Sequence, residues 1–238
     1  MRYDYDMRPE WIKAANSLAD RMTTANRLMF DQFTYGHLND HEAKLLSNAV
    51  SKAIEFVQKI DDEPGKAMII IAHDTTGDLT RSGYGCGKTR LAETIADNNI
   101  FVQSYPDDNQ TYTMRRGSFF EAREVMALFE RERFKADENF AEFGNMVVID
   151  DVGREGTLQY EKRDEVTQKT ETQARYYNII NYCYQKKISL VLTSNLTAGQ
   201  LAETIGGAAW SRLLEMTPSH YKINLSGIPD MRPMLAEF

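Results

Sequence analysis

Cysteine is scarce in this chain. Cys86 and Cys183 are its only two, and neither belongs to a C-x-x-C pair, so no disulfide framework or zinc site is implied. That usage suits a reducing cytoplasm. No apolar run approaches 18 residues, and Met1-Arg2-Tyr3-Asp4-Tyr5-Asp6 has no apolar signal region. A signal peptide, a membrane span and a membrane partner are therefore not expected. Positive charge is also lacking: the net charge is −7. This argues against a protein that coats nucleic acid through its whole surface, and leaves room only for a local basic strip. There is no internal repeat and no low-complexity tract.

What is present is enough for a real core. Of 238 residues, 42% are hydrophobic, which suits one large domain, or one domain with a small appendage. Trp11, Ala14, Ala15, Leu18, Ala19 and Met22 recur at helical spacing and predict a short N-terminal helix with a face to dock, on its own domain or on a partner. A second helix is expected near 40–60, then a turn at Asp61–Lys66 and a core strand at about 67–72. Ile100–Gln103 reads as a short strand and 105–111 as loop. Ser118–Arg133 reads as a charged helix, and Met146–Asp151 as an apolar strand ending in carboxylates. An exposed charged loop is expected over 153–169 and a long helix around 170–186. A buried strand at Ile188–Asn195, short helices at Leu201–Ile205 and Ala209–Glu215, and a last strand at Tyr221–Leu225 complete the pattern. Apolar strands alternating with amphipathic helices predict an α/β domain around a mostly parallel sheet.

The organising stretch is Ser82-Gly83-Tyr84-Gly85-Cys86-Gly87-Lys88-Thr89. It follows an apolar strand and opens a helix, the order of a nucleotide phosphate loop. Small residues let successive backbone N–H groups line an anion-sized concavity, and the helix points its positive end at the same place. Lys88 would reach the β- and γ-phosphates of ATP, and the Thr89 hydroxyl would take a place on Mg²⁺. Ser82 stands where the pattern has glycine, and the polar stretch His73–Arg81 is extra. The competing reading is a glycine-rich turn with a chance Lys-Thr.

Val147-Val148-Ile149-Asp150-Asp151 puts two acids at the C-terminal edge of the sheet, where open α/β sheets bind ligands. Asp150 would hold Mg²⁺ through water, and Asp151 would polarise an attacking water. Leu192-Thr193-Ser194-Asn195 would place a polar side chain between the γ-phosphate and the acids. Arg212 is a candidate to stabilise phosphoryl-transfer charge across a subunit interface. The alternatives are a turn or cap for the two acids and an exposed, glutamate-paired helix arginine for Arg212.

The order of these motifs resembles the AAA+ ATPases of the DnaC and DnaI helicase-loader and IstB group. The likeness runs from about Phe30 to Arg232. Phe30-Asp31-Gln32-Phe33 resembles the group's aromatic entry segment beside adenine. Gly85–Ala92 is similar to its Walker A, and Val148–Glu155 to its Walker B. Tyr177–Tyr182 with Leu192–Leu196 looks like its sensor 1 region. Ser211–Met216 is similar to its arginine-finger segment, and Asp230-Met231-Arg232 to its closing motif. The resemblance implies a P-loop AAA+ core over 29–238, preceded by a helical segment at 1–28. It implies ATP held by Phe30, Gly83, Gly85, Cys86, Gly87, Lys88, Thr89 and Arg90, with Mg²⁺ on Thr89 and Asp150. Asp151, Asn195 and Arg212 would be the catalytic set. The implied function is loading of a replicative hexameric helicase, held by the N-terminal helix, onto single-stranded DNA. Subunits would self-associate in ATP through Arg212, and Arg115, Arg116 and Arg123 would form a DNA-facing strip. An IstB-like transposition helper on duplex DNA is the alternative within the group, and a non-hydrolysing ATP-switched scaffold the alternative outside it.

Overall fold

The computed structural model describes residues 28–73, 83–104, 112–127, 143–155 and 165–232. The expected helix at Trp11–Met22, residues 74–82 of the phosphate-loop approach and the loop at 105–111 lie outside them.

A 3-10 turn at Phe30–Gln32 precedes helix α1, Asp40–Lys59. Asn39 starts α1 for a local reason. Its side chain accepts from the Glu42 amide at 3.0 Å while Glu42 returns a bond to the Asn39 amide at 3.1 Å, so two otherwise orphaned donors are satisfied. Strand β1, Ala67–Ile71, leads to helix α2, Lys88–Asn98. Strands β2, Ile100–Ser104, and β3, Tyr112–Arg116, pair antiparallel as a separate two-stranded sheet. Strand β4, Ser118–Glu121, and helix α3, Ala122–Ala127, follow. Then come β5, Met146–Val152; α4, Glu165–Lys186; β6, Ser189–Ser194; α5, Ala198–Ile205; α6, Gly207–Met216; and β7, Lys222–Asn224.

Five strands form the main sheet in the order β4-β5-β6-β1-β7, and every pairing in it is parallel. Alternate side chains of each central strand serve opposite faces. Met68, Ile70, Met146, Val148 and Val191 join α1 and α2 in one core. Ala67, Ile69, Val147, Ile149, Leu190 and Leu192 join α3, α4, α5 and α6 in the other. Burial on both faces is why these strands read as unbroken apolar runs. Because β1, β5 and β6 are adjacent, everything that follows their C-terminal ends meets at one sheet edge.

Two expectations are corrected. Ser118–Arg133 does not begin as a helix: Ser118–Glu121 is an edge strand in parallel register with Val147–Asp150. Phe119 packs on one core and Phe120 on the other, an alternation that only a strand supplies. Residues 112–116 form β3, whose polar composition carries no core-strand signal. Helix α4 starts at Glu165, inside the stretch expected to be loop. Its first turns are polar and extend the helix without an apolar period, with Lys169 bridging to Glu203 on α5 at 2.6 Å. Among the described residues no helix is long and apolar enough to cross a membrane.

Candidate functional site

Beyond β1 the chain turns through Gly83–Gly87 into α2. Gly87 caps that helix at φ 91°, a left-handed conformation that glycine adopts without steric cost. Lys88, the first helical residue, is only 5% exposed. Its ammonium donates to the Gly83 carbonyl at 2.6 Å and to Asn195 Oδ1 at 2.5 Å. The Cys86 thiol donates to the same Gly83 carbonyl at 3.2 Å. Burial pushes that thiol up, with the nearby Lys88 charge offsetting part of the rise. The loop is therefore folded around its own lysine.

The acidic strand is not regular where it matters. Ile149 pairs with Leu192 and Val152 with Ser194, so Asp150 and Asp151 together oppose Thr193 in a β-bulge. Asp151 has φ 56°. A bulge re-aims side chains that a flat strand would send to opposite faces. Thr193 stitches it closed, donating to Asp150 Oδ1 at 2.5 Å and accepting from the Asp151 amide at 3.0 Å. Thr89 donates to the other Asp150 oxygen at 2.8 Å. Burial raises the Asp150 carboxyl above its ordinary range, and the Thr193 and Thr89 hydroxyls pull it partly back. Asp151 receives the Asn195 amide at 3.3 Å and Arg154 at 3.2 Å.

Several of these groups border one cavity of about 340 Å³, a volume in the range of small-molecule sites; Asp150 and Thr193 stand behind them. Gly85, Gly87, Lys88, Thr89, Arg90, Asp151 and Asn195 line it, as do Glu93, Arg154 and Tyr84. The Arg154 guanidinium lies 4.6 Å from the centre of the Tyr84 ring. Glu155 holds this segment to α4 by accepting from the buried Tyr176 hydroxyl. Burial, and then the charges of Asp150 and Asp97, raises the Glu93 carboxyl. Phe33, Thr34, His37 and Leu46 also line the cavity. Phe30 lies outside this lining and packs on the core; Phe33 takes the place beside the cavity. Arg90 reaches back to this segment, donating to the Gln32 carbonyl at 3.2 Å and lying 5.3 Å from the centre of the Phe33 ring.

Gly83 and Cys86 are behind the wall rather than in it. Arg212 is on a different face. It donates to Asn181 at 2.5 Å and sits 4.5 Å from the centre of the Tyr184 ring, outside the cavity lining of its own chain. Arg123 pairs with Glu121 at 2.6 Å, and Arg115 and Arg116 lie on β3.

Chemically, the cluster around Lys88 suits a polyphosphate. It offers a helix N-terminus, a buried ammonium and glycine-lined backbone. Among the described residues no cluster of three or more His, Cys, Asp and Glu side chains forms a cage for a metal. The Thr89–Asp150 pair instead suits a divalent cation that shares its coordination with phosphate and water.

Comparison with known structures shows what the fold is similar to. A crystal structure of the DnaC helicase loader superposes with TM-score 0.54 at 18% identity, covering 83% of this chain and 96% of that one. DnaI gives 0.51 at 16% identity, over 86% and 93%. The chain shares the fold of these two proteins. AMPPCP-bound DnaA from Aquifex aeolicus gives TM-score 0.50 at 15% identity, over 88% of this chain and 54% of that one. No protein-family model matches the sequence, and no curated protein matches it either.

The sequence reading gave no role to Thr34, His37, Leu46, Tyr84, Glu93 and Arg154, all of which line the cavity. Tyr84, an exposed aromatic inside the glycine loop, carried a signal. The rest carried none until the chain was folded.

Proposed function

We propose that the chain is an ATPase that loads a replicative hexameric helicase onto single-stranded DNA. The observation that carries the ATPase reading is the convergence of Lys88, Thr89, Asp151 and Asn195, from three separate segments, on one cavity, with Asp150 bonded behind Thr89. The fold likeness to DnaC and DnaI supports the loading role, and the likeness to AMPPCP-bound DnaA supports an adenine nucleotide.

In this reading the loop amides and Lys88 hold the β- and γ-phosphates. Thr89 and Asp150 are the residues that would hold Mg²⁺, whose charge would neutralise that of the phosphates. Asp151 orients the attacking water and draws off its proton, while Asn195 ties that carboxylate to Lys88 so that the two ends of the reaction keep their spacing. Arg212 acts on the cavity of a neighbouring subunit, since it faces away from its own. The N-terminal segment before residue 28 holds the helicase, and the region of β3 and Arg123 meets the DNA strand.

Two measurements test this. Wild-type protein should bind ATP and hydrolyse it, and Lys88→Ala should lose both; retained tight binding in the variant would remove the site assignment. Protein immobilised in ATP should then capture a hexameric helicase. Capture of a transposase instead would move the reading to a transposition helper.

A further inference from the structure

Arg154 lines the cavity with Lys88, Asp151 and Asn195, yet the hydrolysis proposed above leaves it idle. Among the described residues four lysine and arginine side chains border this space: Lys88, Arg90, Arg154 and Arg232. Lys88 has its place with the phosphates. Arg90 is engaged by the Gln32 carbonyl and Arg232 by the Asp230 carboxylate, and neither Gln32 nor Asp230 lines the cavity. Arg154 differs. Its acidic partner, Asp151, is itself part of the lining, and one guanidinium nitrogen approaches one carboxylate oxygen at 3.2 Å.

The root of this side chain is fixed and its tip is not. The Arg154 amide donates to the Asp151 carbonyl at 3.0 Å. Glu155 accepts from the Gly153 amide at 2.8 Å and from the fully buried Tyr176 hydroxyl, which fastens the turn to α4. The tip lies 4.6 Å from the centre of the Tyr84 ring and bonds that side chain. Half of the Arg154 side chain is nevertheless exposed, 51% against 30% for Asp151. Exposed pairs of this kind contribute little to stability, so the tip can leave Asp151 at small cost.

A guanidinium is a rigid fork of donors that fits the oxygens of a phosphate better than a single carboxylate oxygen. Asp151 also presents negative charge to any phosphate that reaches Lys88, and Arg154 stands where it offsets that charge. Building on the nucleotide reading above, we propose that Arg154 determines specificity for a nucleoside triphosphate. It rests on Asp151 in the empty cavity and transfers to the terminal phosphate of ATP, which separates ATP from ADP and frees the Asp151 carboxylate for water. The terminal phosphate is the target because Asp151 is the group proposed to orient the attacking water, and Arg154 is already bonded to it. Unlike Arg212, Arg154 serves the cavity of its own chain.

The test is calorimetric titration with ATP and with ADP, together with single-turnover hydrolysis at saturating ATP. Arg154→Ala should bind ATP about 10- to 100-fold more weakly than wild type, and ADP within about threefold, the split expected when one charge-assisted hydrogen bond to the terminal phosphate is lost. Its single-turnover rate should change less than its ATP affinity, because the contact forms before the chemical step. Arg154→Lys keeps the charge and should recover part of the ATP preference. Arg154→Gln keeps a donor without charge and should not. All three variants should melt with wild type in the absence of nucleotide. Equal losses for ATP and ADP, or no loss of either, overturn the proposal. So does an unchanged ATP affinity with a slower chemical step, since Arg154 would then only orient Asp151. An Arg154→Ala protein that melts well below wild type, while Arg154→Gln keeps the wild-type ratio of ATP to ADP affinity, overturns it too and makes Arg154 a structural residue. If wild type binds neither nucleotide, the nucleotide reading itself falls. If wild type binds both and the variants keep its ATP preference, that reading stands and this proposal alone is overturned.

Discussion

Lys88 Nζ donates to Asn195 Oδ1 at 2.5 Å, joining the first residue of α2 to the end of β6. Asn195 also donates to Asp151 at 3.3 Å. One amide therefore couples the lysine proposed to bind phosphate to the carboxylate proposed to orient water. Asn195→Ala should leave ATP affinity within several-fold of wild type and lower turnover by about 10²–10³, the loss seen when one positioned polar group is removed from a transition state. Single-turnover hydrolysis separates the two effects. A variant that loses binding and turnover in equal measure would show that Asn195 only supports the fold of the loop.

Thr193 is a second place where one side chain serves two carboxylate-bearing residues. Thr193→Val keeps the shape but removes both the donor to Asp150 and the acceptor for the Asp151 amide. The loss should be about 1–3 kcal/mol of stability, as for other buried groups left unpaired, read as a shift of the urea midpoint. Turnover should fall more than tenfold, because the bulge that aims both acids is no longer stitched. A wild-type midpoint with wild-type turnover would show that the backbone holds the bulge unaided.

Asp150 gives a pH signature. Burial holds its folded-state carboxyl above the ordinary range, so the fold binds that proton more tightly than the unfolded chain does. The stability it contributes is full below the unfolded value, about 3.9, and is lost as pH rises through the raised folded value. At neutral pH the ionised group is a cost to the nucleotide-free protein. Asp150→Asn should therefore melt higher than wild type at pH 7.5, with the gap closing towards pH 4; each kcal/mol relieved is worth about 2–4 °C in a chain of this size. The same variant should lose Mg²⁺-dependent turnover. A lower melting point at pH 7.5 with no pH trend would show that the two threonine hydroxyls outweigh burial.

Much of this site was legible from residue type and order. Lys-Thr after glycines, two acids after an apolar strand and Asn after another are patterns that chemistry restricts, and they did converge. What could not be read was geometry set by the fold. Nothing in Asp150-Asp151 announces the bulge, which depends on Thr193 of a neighbouring strand. Phe30 and Phe33 look equivalent in sequence, and only the docking of their segment on α2 turns Phe33 to the cavity. His37 lies at the end of a turn that has meaning only once α1 is placed. The error at Ser118–Glu121 has the same origin: a short edge strand running into a helix shares its polar residues with both, and the deciding contact is with β5.

Arg212 is held by Asn181 and Tyr184, away from its own cavity. Arg212→Ala should bind ATP normally and turn over about 10³–10⁵ times more slowly, the range for arginine fingers in GTPases. Mixing Arg212→Ala with Lys88→Ala should restore activity, because the second variant supplies an intact arginine to the intact cavity of the first. A mixture as inactive as its components would remove the intersubunit role.

The approach of residues 230–232 to the glycine loop has a practical side. The Met231 amide donates to the Gly85 carbonyl at 3.1 Å, and a β-carbon placed on Gly85 would fall 1.8 Å from Asp230 Oδ1. Any movement of the loop is therefore passed directly to residues 230–232. Met231 and Arg232 also line the cavity, so a fluorophore carried by this segment would sense occupancy of the cavity directly, and a bulky group inserted there would disturb the loop.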